Sequence, residues 1–114
     1  MKYIYSEEKL PEGFQYPESF LNEISSNNNL YPWIFIDVES DVGKLLIAIG
    51  MDSGKNLVPF ASLENGDGDA ACFDGNDKSG NPAVIMLVLD ESGRSYSFSN
   101  FDEWLEKAKA DAIS

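Results

Sequence analysis

Histidine is missing from this chain of 114 residues, and cysteine occurs once, at Cys72. Nucleophilic catalysis most often pairs a Ser or Cys with an imidazole base, so the common triads cannot be assembled. A lone cysteine forms no intramolecular disulfide and no cysteine-based zinc site, and no histidine exists to complete a mixed one. Cations are also scarce: 8 Lys and Arg stand against 20 Asp and Glu, a formal net charge of -12. That field repels phosphate backbones and anionic lipid, which disfavours a nucleic-acid reader, and it speeds encounters with basic proteins. Acidity of this degree also serves solubility alone. No apolar run approaches the roughly 18 residues that span a bilayer, and the opening residues Met1 to Glu8 hold no apolar stretch of a secretion signal. We expect a cytoplasmic, unprocessed protein without a membrane or nucleic-acid partner.

What is present is the material of one folded domain. Two Trp, five Tyr and seven Phe within a 43% hydrophobic composition are not those of a disordered chain. A globule of this size buries roughly two thirds of its unfolded surface, enough for one core. Residues 1–12 are polar and end near Pro11 and Gly13, so they read as a weakly packed N-terminal arm, with residues 13–114 as the single domain.

Local signals divide the domain. Pro17 and Glu18 suit a first helical turn, Phe20, Leu21 and Ile24 give its apolar face, and Ser25 to Asn29 should stop it. Tyr31 to Val38 is aromatic and β-branched, which favours an extended segment. Residues 42–49 admit two readings. Ser40 or Asp41 could cap a helix with Val42, Leu45, Leu46 and Ile49 on one face, whereas Leu45 to Ile49 could be a buried strand between Gly43 and Gly50; the β-branched content tips the reading slightly to strand. Leu57 to Ala61, Ala70 to Asp74 and the unbroken apolar run Ala83 to Leu89 read as strands, the last buried on both faces. Asp90 to Arg94 then closes a hairpin onto Ser95 to Ser99, where Tyr96 and Phe98 share a face. Asn100 and Glu103 have the spacing of a capping box, and Phe101, Trp104, Leu105, Ala108 and Ala112 form the stripe of a last helix. The fold class is α+β: a mostly antiparallel, curved sheet with helices near the N- and C-termini.

Residues able to carry chemistry reduce to acids. Cys72, between Ala71 and Phe73, reads as a small buried hydrophobe. Asp67, Asp69, Asp74 and Asp77 invite a calcium reading, but an EF-hand loop begun at Asp74 places Ser79 at the obligatory glycine and Ile85 at the final glutamate. Gly66-Asp67-Gly68 lacks the Lys and Ser/Thr of a phosphate loop. No metal, cofactor or catalytic group is expected. From Ser62 to Asp77 no basic residue offsets Glu64, Asp67, Asp69, Asp74 and Asp77. We take Glu64, Asp67, Asp69 and Asp77 as candidate partner-binding residues, a patch able to steer a basic protein, against the plainer reading of a solvated turn. Asp74, at a strand end before Gly75 and Asn76, is expected to bind the turn's amides rather than a metal.

The order Val58-Pro59-Phe60-Ala61, Gly66-Asp67-Gly68-Asp69, Cys72-Phe73-Asp74, Pro82 and Phe101-Asp102-Glu103-Trp104-Leu105 resembles the SUKH superfamily, and Pro17-Glu18-Ser19-Phe20 is similar to the family's opening helix. The resemblance spans roughly residues 11 to 108 and weakens over Tyr31 to Gly50. It implies a curved antiparallel sheet with terminal helices, no shared catalytic residues, and a protein-binding role. Its members include immunity proteins that neutralise toxin domains, frequently nucleases, in bacterial competition, and fungal cell-wall regulators. The implied function is binding and neutralisation of a basic toxin domain; the alternative is a general protein-interaction adaptor or regulator.

Overall fold

A computed structural model describes residues 3–26, 30–31, 33–52, 56–63, 70–87 and 97–113, the side chain of Ile113 excepted. In chain order the elements are α1 (Glu18–Ile24), β1 (Trp33–Phe35), α2 (Asp41–Met51), β2 (Leu57–Leu63), β3 (Ala70–Asp74), β4 (Val84–Leu87), β5 (Ser97–Phe98) and α3 (Phe101–Ile113), preceded by a short 3-10 turn at Glu7–Lys9. The strands form one five-stranded sheet in sequence order, and every neighbouring pair is antiparallel. This is the α+β domain expected, with an additional helix in its middle.

Register sorts side chains between the two faces, because successive residues of a strand point opposite ways. Ala71 pairs with Met86, and Phe73 with Val58 and Val84, on one face; Ala70 pairs with Ser62 and Leu87 on the other. A bulge between Pro59 and Ala61 interrupts the alternation. Such an extra residue lets two neighbours face the same side, and Phe60 and Ala61 both join the main core. There Phe60 stacks on Phe73 with ring centroids 4.3 Å apart, while Phe20 of α1 and Phe101 and Trp104 of α3 meet Phe60 edge-on at 5.6, 5.6 and 4.8 Å. Edge-to-face packing is the favoured geometry for ring quadrupoles. On the opposite face Leu46 of α2 packs with Ile36, Ala70 and Leu87 in a smaller cluster.

Residues 42–49 are helical, correcting the slight preference for a strand. Ser40 settles the matter locally: its hydroxyl accepts from the Gly43 amide at 3.0 Å and donates to the Asp37 carbonyl at 2.6 Å. The buried positions are Gly43, Leu46, Ile47 and Gly50, not the face through Val42 and Leu45. A Cβ at Gly43 would run into the Asp37 carbonyl oxygen, and one at Gly50 into that of Leu57. The helix therefore lies close against backbone on its glycine side, and its larger apolar residues on the other side stay out.

The N-terminal arm also departs from expectation. Tyr5 is 3% exposed and its hydroxyl donates to the Gly43 carbonyl at 2.6 Å, while its amide donates to the Tyr16 hydroxyl at 3.0 Å. Residues 3–12 thus contribute an aromatic anchor to the core, which polarity along the segment conceals. Leu21, placed on the apolar face of α1, is 37% exposed, and Phe20 alone of that helix is fully buried. In β4, Val84 and Met86 are buried and Ile85 and Leu87 half-buried, so both faces are at least partly covered; Val88, Leu89, the 90–94 hairpin and Tyr96 lie outside the described residues.

Candidate functional site

The acidic segment singled out from sequence is described only at its C-terminal end. Glu64, Asp67 and Asp69 lie outside the described residues. Asp74 and Asp77 sit in the turn that carries β3 into β4, and hydrogen bonds fix both. The Asn76 amide donates to Asp74 Oδ1 at 2.9 Å, as anticipated for a carboxylate at a strand end, and the Asp77 amide donates to the Asp74 carbonyl at 3.1 Å. Asp77 receives the Ser79 amide on Oδ1 at 3.0 Å and the Ala83 amide on Oδ2 at 3.2 Å. Hydrogen bonds from the Ser79 side chain and amide, with that of Ala83, hold its carboxyl below the ordinary range despite a small opposing effect of burial. Lys78, the first cation after the acids, folds back to donate to the Gly75 carbonyl at 2.7 Å. The turn is braced from outside by the Gly75 amide donating to the Asn56 carbonyl and by Asn56 Nδ2 donating to Asn76 Oδ1. What the geometry provides here is a rigid, charged turn whose two acids serve backbone amides first.

Cys72 is fully buried, and burial pushes its thiol up to about 12, so the reactive thiolate does not form at neutral pH. Burial likewise raises Tyr16 to about 12, against the Tyr5 amide bond that lowers it, and raises Tyr5 further. Among the described residues no three Cys, Asp or Glu side chains gather where they could share a metal ion. No described helix is long and apolar enough to cross a membrane.

Two features escape the sequence reading. One is the outward side of α2, where Val42 and Leu45 are 58% and 60% exposed. The only available signal was the seven-residue spacing of Gly43 and Gly50. The other is a link between distant segments: Trp33 Nε1 donates to Asp111 Oδ2 at 3.0 Å, and Lys107 Nζ reaches the same oxygen at 2.8 Å. Burial works to raise the Asp111 carboxyl, but these two donors and the Lys107 charge together hold it low. This joins the C-terminal end of α3 to β1 and is structural.

Neither a curated protein nor a solved structure matches the chain significantly. A family model does, over residues 4–107, reaching from just before the Tyr5 anchor to the middle of α3. It covers the described sheet, α1, α2, the braced turn and the first half of α3 together, and on that match the chain belongs to the SMI1 / KNR4 family (SUKH-1).

Proposed function

We propose that this protein is a cytoplasmic protein-binding module that acts as an immunity protein, capturing a toxin domain and blocking its action. The observation that carries the reading is family membership over residues 4–107, since the family includes immunity proteins. The net charge of -12 favours a basic target such as a nuclease. Glu64, Asp67, Asp69 and Asp77 are the proposed contributors on this side, acting mainly on encounter rate, as charges at the rim of an interface do. Asp77 would act through its field, since both its oxygens already accept turn amides. A binding role rather than catalysis accords with the lack of histidine and with the buried thiol.

The test begins by identifying a toxin domain encoded beside this chain's gene. Purified chain should bind it and protect cells that express it, with association slowing as salt rises. Replacing the four acids by Asn or Gln should slow association and flatten that salt dependence. No binding and no protection would end the immunity reading; an unchanged on-rate at low salt would end the role of these four acids alone.

A further inference from the structure

Between the N-terminal segment and α2 lies an open cleft of about 580 Å³, lined by Ile4, Tyr5, Ser6, Lys9, Val38, Glu39 and Lys44. It exists because the Tyr5 hydroxyl is bonded to the Gly43 carbonyl, which brings together segments 38 residues apart. Its size is that of a small-molecule site, roughly 300–1,000 Å³.

Two lysines, Lys9 and Lys44, line the cleft. Of the lysines described, Lys78 is bonded to Gly75 and Lys107 to Asp111, whereas the ammonium groups of Lys9 and Lys44, like that of Lys109 on α3, meet no acceptor among the described residues. The Ser6 hydroxyl is likewise without a partner there, while the Tyr5 hydroxyl is already committed. Glu39 is the opposing charge, so two cations and one anion leave the cleft a single net positive charge. Ile4 and Val38 supply an apolar wall. A dianion would find only one net charge here, inside the field of a strongly acidic chain. A monoanion with an aliphatic body matches both the charge and the wall.

We propose that this cleft is a binding site for an aliphatic carboxylate, held by Lys9, Lys44 and the Ser6 hydroxyl, with its apolar part against Ile4 and Val38. The proposal is independent of toxin binding. Two sources share this chemistry, a free acid and the C-terminal carboxylate of a polypeptide ending in an aliphatic residue.

The experiment is a titration of the isotopically labelled full chain, followed by amide chemical shifts. The probes are N-acetylleucine, N-acetylleucinamide, inorganic phosphate and a peptide ending in leucine with a free carboxyl. Saturable shifts at Ser6, Lys9, Glu39 and Lys44 are expected with N-acetylleucine and not with the amide. Both lysines are exposed and unpartnered, so Lys9→Gln/Lys44→Gln should keep its fold and weaken binding by about tenfold or more, as loss of charged hydrogen bonds does. Glu39→Gln should tighten it. A peptide that binds more tightly than N-acetylleucine assigns the site to chain termini, and equal binding assigns it to free acids. Absence of saturable shifts, equal response to acid and amide, preference for phosphate, or indifference to the double substitution would each overturn the proposal.

Discussion

Helices α3 and α2 are similar in length, 13 and 11 residues, and they bury themselves by opposite means. On α3 large side chains face the sheet: Phe101, Trp104 and Ala108 are buried, and Asp102, Glu103, Glu106 and Lys109 are exposed. On α2 the buried side carries two glycines with Leu46 and Ile47, and large apolar residues, Val42 and Leu45, are left in solvent. A polar face marks the direction of the first helix. The second has only Asp41 and Lys44 as charges, and its direction is set by how closely its backbone approaches Asp37 and Leu57. Hydrophobicity thus identifies a buried face only when a polar one opposes it.

The strongest way to break this contrast is to remove the α3 anchor. Trp104 packs on Phe60, Trp33 and Phe101, and Trp104→Ala should cost about 3–5 kcal/mol, a large part of a small domain's stability. A denaturation midpoint unchanged from the parent would show that α3 is not held this way. Next comes Gly50→Ala. On an exposed helix this change is favourable by about 1 kcal/mol, but here the added methyl meets the Leu57 carbonyl, and a net loss of about 1–3 kcal/mol is expected. A gain in melting temperature would place the glycine side of α2 outside the interface.

Smaller effects come from the braced turn. Asp74→Ala removes the acceptor for the Asn76 amide and should lower stability by about 0.5–2 kcal/mol, equally with calcium and with chelator. A parent melting temperature that climbs in micromolar calcium, lost in the variant, would instead mark a metal site. Asp77 titrates below the ordinary range in the folded protein. Its contribution to stability is therefore complete above about pH 4, the unfolded value, and is lost as pH falls through the lower folded value. Asp77→Asn should flatten that part of an acid-unfolding curve and slightly lower stability at neutral pH, where the contribution of the carboxylate is complete. The smallest effect belongs to Leu45→Ser, expected to stay within about 0.5 kcal/mol of the parent, as exposed positions do. A loss matching that of Gly50→Ala would erase the contrast between the two sides of α2.

Local chemistry made the described turn and the start of α3 legible. Asp74 lies at a strand end before a glycine, and its carboxylate does bind the following turn. Asn100 and Glu103 form a capping arrangement: the Glu103 amide donates to Asn100 Oδ1 at 3.0 Å, while Glu103 Oε1 accepts from the Ser99 amide at 3.3 Å, one residue earlier than in the usual box. That Lys9 and Lys44 border one cleft was not legible, because no local rule relates segments joined by a tyrosine hydroxyl bonded to another segment's backbone.

Sequence alone determined the composition-driven outcomes: one domain, an acidic surface field, an inert cysteine, strands at Leu57, Ala70 and Val84, and the start and buried face of α3. Each follows from propensities, caps or periodicities acting within a few residues. Tertiary structure decided the rest: which side of the 42–49 helix is buried, that the bulge turns Phe60 and Ala61 to the same face, and that the polar N-terminal segment inserts Tyr5. Those outcomes depend on the shape of neighbouring backbone and on space left by distant side chains, quantities that arise only when the chain has closed on itself.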